Sequence, residues 1–375
     1  MKNKPERRGL IDGSRLIIES LARAGADVYV GYPITPSNWL YAYARQRFPL
    51  FLPAPDEITA LQWAAGFSAT GRFPVTATSF PGFALMLESV NMAYMMELPM
   101  VIILAQRMGP STGSATTGAQ GDVLLLRGAI SGGYPLPVFC PSNLEDCWKL
   151  SAEAMRMALT VRTPVVLLTS KEMVMTHHSF DLSCLPAIRT LPRETFKGNG
   201  EYLPYAAAPA EAPPFLPVGN PHHQVRLNAS THDATGLIRK ATPEALSNTR
   251  RLRDKIDHHI KEFTHLEYDP APGASVLIVS YGISSEAARE AVQKLRTSGK
   301  AISLLIIKTL LPVPTAVFDI LQKYPRVVIV EENLTGLLRE LFFGQVSRPE
   351  IRGVNRIGAL ITPSEIVQEV ESWQQ

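Results

Sequence analysis

Three short segments hold the residues best suited to chemistry: Gly31-Tyr32-Pro33-Ile34-Thr35-Pro36-Ser37, Thr78-Ser79-Phe80-Pro81-Gly82-Phe83 and Gln106-Arg107-Met108-Gly109-Pro110-Ser111-Thr112-Gly113. Each is rich in Gly, Pro, Ser or Thr, each follows an apolar run, and Arg107 is their one charge. A guanidinium presents a rigid fork of donors that matches a carboxylate in two parallel hydrogen bonds, so the set suits a carboxylate ligand. The plain alternative for Arg107 is a surface ion pair. Gly109, Gly113 and Gly118 let a backbone approach closely, which favours the ligand. Thr35 lies between Pro33 and Pro36, which fix the backbone and free its hydroxyl for a ligand or for a turn that bonds its own backbone. Glu57 opens a helical run, where it is either an acid-base group or a complement to the helix dipole.

Loops so far apart in sequence meet only if the strands before them end at one edge. In an open parallel α/β sheet ligands bind beyond the carboxyl ends of the strands. Residues 14–171 alternate helical and strand patterns as such a sheet requires. Ser14 is placed to cap a first helix that Gly25 closes, Ser37 to cap a second, and Asp56-Glu57 begins a third with Ile58, Leu61 and Ala65 on one face. Strand patterns at 28–30, 75–77, 100–104, 138–140 and 164–168 alternate with helical ones at 83–96 and 143–159. The run 100–104 is apolar throughout, as a strand covered on both faces must be. The pattern predicts an α/β protein with a doubly wound parallel sheet over residues 1–174. Eight prolines between Pro186 and Pro221 break the rhythm, so 175–271 is expected to be a connection, with a charged helix over 243–265 at its end. Residues 272–375 alternate again and predict a smaller α/β domain, so two cores are expected.

Composition narrows the function. The 37 basic and 34 acidic residues are scattered without a basic run, which gives no case for nucleic acid. Cys140, Cys147 and Cys184 form no C-x-x-C, so neither a disulfide framework nor an iron-sulfur or zinc site is supported. The histidines come as adjacent pairs, among them His258-His259, a spacing that does not put two imidazoles on one helix face; no metal site is expected in this chain. G-x-G-x-x-G after a first strand, the P-loop and G-x-S-x-G are all absent. The start of the chain is charged with no apolar core behind it, and the longest apolar stretch, 98–105, is far short of the roughly 18 residues of a membrane span. A cytoplasmic protein without a membrane segment is expected.

Taken with Asp56-Glu57-Ile58 and Gln120-Gly121-Asp122, the three segments resemble, in order and spacing, the alpha subunit of the 2-oxoacid:ferredoxin oxidoreductases, closest to the 2-oxoglutarate type. The likeness covers nearly the whole chain, since Val330-Glu331-Glu332-Asn333 and Ile361-Thr362-Pro363-Ser364-Glu365-Ile366 look like that family's second domain. The resemblance implies a pyrimidine-type thiamine-diphosphate-binding domain followed by a transketolase C-terminal-like domain. It implies oxidative decarboxylation of a 2-oxoacid to the acyl-CoA, with electrons passing through iron-sulfur clusters to ferredoxin. Carried over by residue, Glu57 resembles the glutamate at the cofactor's aminopyrimidine, with Pro33 and Ile34 beside it. Thr35 resembles the threonine at the substrate and Arg107 the arginine that anchors its carboxylate, and Ser111, Thr112, Met108 and Phe80 line the pocket.

The same resemblance implies partners. Thiamine diphosphate needs Mg²⁺, usually held by Gly-Asp-Gly followed by Asn, and its electrons need cysteine-bound clusters; this sequence has no Gly-Asp-Gly and no cysteine set. A beta subunit is therefore expected to bring the Mg²⁺ site and a [4Fe-4S] cluster, with gamma and ferredoxin-like delta subunits and coenzyme A as further partners. A flavin subunit serving NAD is the alternative acceptor. The chain departs from the family's Thr-Ser-Gly-Pro-Gly and Gln-Arg-Gly-Gly-Pro at Phe80 and Met108, and has Thr117 and Ala119 where the 2-oxoglutarate type tends to place Lys and Glu. These changes make an aromatic or branched 2-oxoacid, such as phenylglyoxylate or indolepyruvate, a competing substrate. Half of a non-oxidative thiamine enzyme and a purely structural subunit are the readings from other classes.

Overall fold

The computed structural model describes residues 7–373; the first six residues of the charged start lie outside them. Seven strands form the first sheet, in the order Thr309–Leu311, Val138–Phe139, Pro164–Ser170, Met100–Gln106, Pro74–Thr78, Val28–Gly31 and Leu50–Pro53. All neighbours are parallel except Thr309–Leu311, which joins Val138–Phe139 antiparallel from the far half of the chain. The three loops therefore leave one edge of one sheet. Met100–Gln106 and Pro164–Ser170 are buried over their whole length, as their apolar runs require.

The helix ends differ from the expected caps. Asp12, not Ser14, caps helix Gly13–Ala24 by accepting from the Arg15 amide, while the Ser14 hydroxyl donates to the Val174 carbonyl at 2.7 Å. Ser37 sits at the cap position of Asn38–Arg47, yet its hydroxyl donates to the Thr78 carbonyl at 2.7 Å. Both serines are buried beside a neighbouring element with a free carbonyl, and the tertiary bond takes the hydroxyl that a local cap would use. Gly25 does close the first helix, at a φ of 110°.

The second sheet runs Ile351–Asn355, Arg326–Glu331, Val276–Tyr281, Ile302–Ile307 and Leu266–Asp269, the last antiparallel. Leu266–Asp269 and Ile351–Asn355 are edge strands whose mixed Leu-Glu-Tyr-Asp and Ile-Arg-Gly-Val-Asn compositions give little strand signal. Two cores form, but they do not divide at the boundary between the two halves of the chain. Leu277, Val279, Tyr281, Leu305 and Ile329 join the core of the first sheet, while Val276, Ile278, Ile302, Leu304 and Val328 form a smaller core under helices Ser285–Thr297 and Pro363–Ser372. The alternation of side chains along each strand explains the division: one face packs on the first half of the chain, the other on its own helices.

Between 185 and 242 the described chain has neither helix nor strand. Helix Pro243–His259 then returns to the first sheet's core, where Lys255 Nζ lies 2.6 Å from a Glu97 carboxylate oxygen and Arg251 Nη1 2.9 Å from the same oxygen. All three side chains are buried. Burial alone would push the Glu97 carboxyl up, but Lys255, Arg251 and the nearby Arg162 outweigh it and hold the group down at about 2. Among the described residues no helix is long and apolar enough to cross a membrane.

Candidate functional site

Direct bonds bring the three loops together. The Ser37 hydroxyl ties the first loop to the second through the Thr78 carbonyl, and Arg107 Nη1 donates to the Thr35 carbonyl at 2.5 Å, tying the third to the first. Glu57 stands under the second loop. A Cβ on Gly82 would fall 2.1 Å from Thr78 Oγ1 and 2.6 Å from Glu57 Oε1, so only glycine lets this turn lie against the carboxylate. Thr35, Glu57 and Arg107 thus converge beyond the ends of Val28–Gly31, Pro74–Thr78 and Met100–Gln106.

Glu57 is only 6% exposed, and Asp56 already caps its helix, Glu57–Ala69, by accepting from the Thr59 amide at 2.7 Å. Among the described residues the Glu57 carboxylate makes no hydrogen bond and no ion pair. Arg107 is buried, faces no carboxylate among them, and its Nε has no partner; burial pulls its pKa down from the usual value. The Ser79 hydroxyl is a further buried donor without an acceptor. Buried polar groups without partners are costly, so a crevice that holds the Arg107 Nε and the Ser79 hydroxyl unpaired, beside the Glu57 carboxyl, is shaped for a ligand. An acid set in a glycine-made cradle at one side and a guanidinium at the other is a donor set that fits an aminopyrimidine and a carboxylate.

The remaining sequence-derived residues are placed less uniformly. Ile34 is half-buried and Pro33 exposed; Asn38 Nδ2 donates to Thr35 Oγ1 at 2.9 Å and fixes that hydroxyl. Phe80 and Met108 are half-buried, Phe80 at the start of helix Phe80–Met95. Ser111 and Thr112 are exposed at the tip of the third loop, which is closed on itself by Met108 N–H to Thr117 O at 2.8 Å and Ser114 N–H to Met108 O at 2.9 Å. No bond joins this tip to Thr35, Glu57 or Arg107 among the described residues.

The far end of that loop is clamped in a way the sequence did not reveal. Gln120 donates its backbone N–H to Glu332 O at 2.7 Å and its side-chain amide to Tyr281 O at 2.8 Å, while Asn333 Nδ2 donates back to Gln120 O at 3.1 Å. Both motifs, Gln120-Gly121-Asp122 and Glu331-Glu332-Asn333, are visible in the sequence; that they bond each other is not. Burial pushes the Asp122 carboxyl up to about 7, and Glu332 to about 7 as well, with Glu172 adding to the latter. The adjacent histidines also acquire a neighbour: donor atoms of His258, His259 and Glu211 lie within 4.8 Å of one another. Glu211 and His258 are exposed and His259 half-buried, with its other nitrogen 3.9 Å from a Glu262 oxygen, so the group lies at the surface.

Residues 19–249 match the family described as pyruvate flavodoxin/ferredoxin oxidoreductase, thiamine-diphosphate-binding, and residues 274–364 match pyruvate:ferredoxin oxidoreductase core domain II. The chain is similar to the 2-oxoglutarate synthase subunit KorA of Archaeoglobus fulgidus, with 30% identity over 370 residues that cover 96% of this chain and 98% of that one. It superposes on a 2-oxoglutarate:ferredoxin oxidoreductase from Magnetococcus marinus with 2-oxoglutarate, coenzyme A and succinyl-CoA bound, at a TM-score of 0.90 and 26% identity. That match takes in all of this chain and 66% of the other. A split-gene transketolase, an inactive beta4 tetramer, shares the fold at a TM-score of 0.54 and 15% identity over 97% of this chain and 98% of that one.

Proposed function

The chain belongs to the pyruvate flavodoxin/ferredoxin oxidoreductase family, and from that premise we propose that it works as the alpha subunit of an enzyme that oxidatively decarboxylates 2-oxoglutarate to the acyl-CoA, with ferredoxin as electron acceptor. The first part of the chain is the thiamine-diphosphate-binding domain and the second has the transketolase C-terminal-like fold. The observation that carries the substrate reading is Arg107, a buried guanidinium bonded to the Thr35 carbonyl and facing no carboxylate of the described chain. It is reserved for the substrate's C1 carboxylate. When bound, thiamine diphosphate supplies the carbon nucleophile and electron sink that let a 2-oxoacid lose carbon dioxide. Glu57 would hold the proton shared with the aminopyrimidine ring nitrogen, with Pro33 and Ile34 beside that ring, and Thr35, whose hydroxyl accepts from Asn38 Nδ2, would meet the substrate. Phe80 and Met108 narrow the pocket, and Ser111 and Thr112 close it from the loop tip. We assign Mg²⁺ and a [4Fe-4S] cluster to a beta subunit, because this sequence offers neither Gly-Asp-Gly nor a cysteine set. Gamma and delta subunits complete the complex, and its three free cysteines suit a reducing cytoplasm.

Kinetics of the reconstituted complex test the assignment. Arg107→Lys should lower kcat/KM at least about tenfold on every 2-oxoacid, because a point charge does not reproduce the two-pronged geometry, and Arg107→Ala should lower it further. Wild-type kcat/KM in Arg107→Ala on the best substrate would make Arg107 a structural residue. Running 2-oxoglutarate against pyruvate, a branched 2-oxoacid and phenylglyoxylate ranks the substrates directly. Replacing Phe80 or Met108 with Gly should shift that ranking and spare the shared carboxylate interaction.

A further inference from the structure

We propose that Glu211, His258 and His259 form a site for a divalent transition-metal ion of the Zn²⁺ class, which staples the long connection to helix Pro243–His259. The donor atoms of the three lie within 4.8 Å of one another, and His259 Nε2 stands 3.7 Å from a Glu211 carboxylate oxygen. Zinc binds nitrogen and carboxylate oxygen at about 2.0–2.2 Å, so two ligands of a tetrahedral ion sit about 3.4 Å apart. Small rotations of side chains at the surface close the group on an ion, and water takes the fourth position. Two imidazoles with one carboxylate select Zn²⁺ and its neighbours over Mg²⁺ and Ca²⁺, which favour shells of oxygen.

Adjacent residues of a regular helix point about 100° apart, which alone would part the two rings. Here the α-helix ends at His259 and tightens into the 3₁₀ turn Ile260–Phe263, and the two rings stand perpendicular with centroids 5.0 Å apart. The third ligand comes from the connection and is fixed in place by its backbone: the Glu211 N–H donates to the Ala208 carbonyl at 3.0 Å, and the Glu211 carbonyl accepts from Arg251 Nη1 at 3.2 Å. On the other side of the ring, His259 Nδ1 lies 3.9 Å from one Glu262 oxygen, while Arg156 Nη1 lies 3.6 Å from the other. A ligating histidine ordinarily gives its second N–H to a carboxylate that sets the ring and its tautomer, and Glu262 is placed for that role. The end of a helix is also its negative pole, which favours a cation. A plain ion pair would account for Glu211 and His259 but not for His258, whose ring makes no hydrogen bond or ion pair among the described residues.

The test uses the full chain, freed of any affinity tag and stripped with EDTA, titrated with Zn²⁺ against a chromophoric chelator and with Co²⁺ as a spectroscopic stand-in. One ion per chain should bind at low-micromolar Kd, with the intense visible bands of tetrahedral Co²⁺. His258→Ala, His259→Ala and Glu211→Gln should each weaken binding at least about tenfold, while metal-free thermal unfolding stays as in the wild type. Bound Zn²⁺ should slow protease cleavage between 185 and 242 at least about threefold in the wild type and leave it unchanged in Glu211→Gln. Equal affinity in the wild type and all three variants, or binding only near millimolar Zn²⁺, would mean an adventitious ion only and overturn the site. Unchanged cleavage with Zn²⁺ bound would overturn the staple.

Discussion

Glu57 begins a helix whose cap is already supplied by Asp56, so its carboxylate has no structural duty to perform. Glu57→Gln should therefore leave folding and assembly intact while turnover falls on the order of a hundredfold or more, the scale of acid-base assistance. Proton exchange at the cofactor's thiazolium carbon, followed by NMR in the complex, reads the step itself; an unchanged exchange rate would remove Glu57 from it. Glu57, Thr35 and Arg107 were legible in the sequence because charge is scarce in the loops and the surrounding Gly and Pro mark a backbone that must come close to something. Gln120 was not legible as a clamp. An amide announces no partner, and its partners Tyr281 and Asn333 lie 161 and 213 residues away.

At the scale of elements, helix Pro243–His259 is fastened by charge, through Arg251 and Lys255 on Glu97, as well as by its buried Ala245, Leu252 and Ile256. Glu97→Gln should cost about 3–5 kcal/mol in chemical denaturation, since it leaves Arg251 and Lys255 buried without a carboxylate. The pH dependence gives the sign. Glu97 is held at about 2, below its usual 4.5, so its contribution to stability is complete above about 4.5 and is lost as pH falls through about 2. Stability curves measured across that window should fall more steeply for the wild type than for Glu97→Gln, and parallel curves would place the ion pair elsewhere. The apolar helices and the fully buried strands could be placed from periodicity alone, because burial on both faces writes itself into composition. The bonds of the Ser14 and Ser37 hydroxyls, and the edge strands Leu266–Asp269 and Ile351–Asn355, could not, since each depends on what a distant element offers.

For the molecule as a whole, the elements that begin at the site carry large apolar side chains exposed to water. Ile58 and Trp63 on helix Glu57–Ala69, Leu85 on Phe80–Met95 and Tyr32 in the first loop are 39–53% exposed. Large exposed apolar groups on the elements that carry the site suit a surface for another protein. The isolated chain should be colourless and bind thiamine diphosphate weakly, and coexpression with the beta subunit should give a brown complex with an interface well above about 2,000 Å². Trp63→Asp should abolish copurification while leaving the thermal unfolding of the isolated chain unchanged. Tight stoichiometric cofactor binding by the chain alone would contradict the shared site.

Strand Thr309–Leu311 also sets a schedule for making the protein. It covers the outer edge of Val138–Phe139, where Thr309 lies opposite Phe139 and Leu311 opposite Val138, and the Cys140 amide donates to the Lys308 carbonyl at 2.7 Å. Until residue 311 has left the ribosome, the first sheet carries an open edge, and an open edge is a template for another copy of the same chain. Polypeptides released early, or cleaved in the long connection and separated, would present that edge permanently and aggregate. Synthesis of the second half is thus what seals the first, and crowded polysomes are where the nascent first half is most exposed to its own kind.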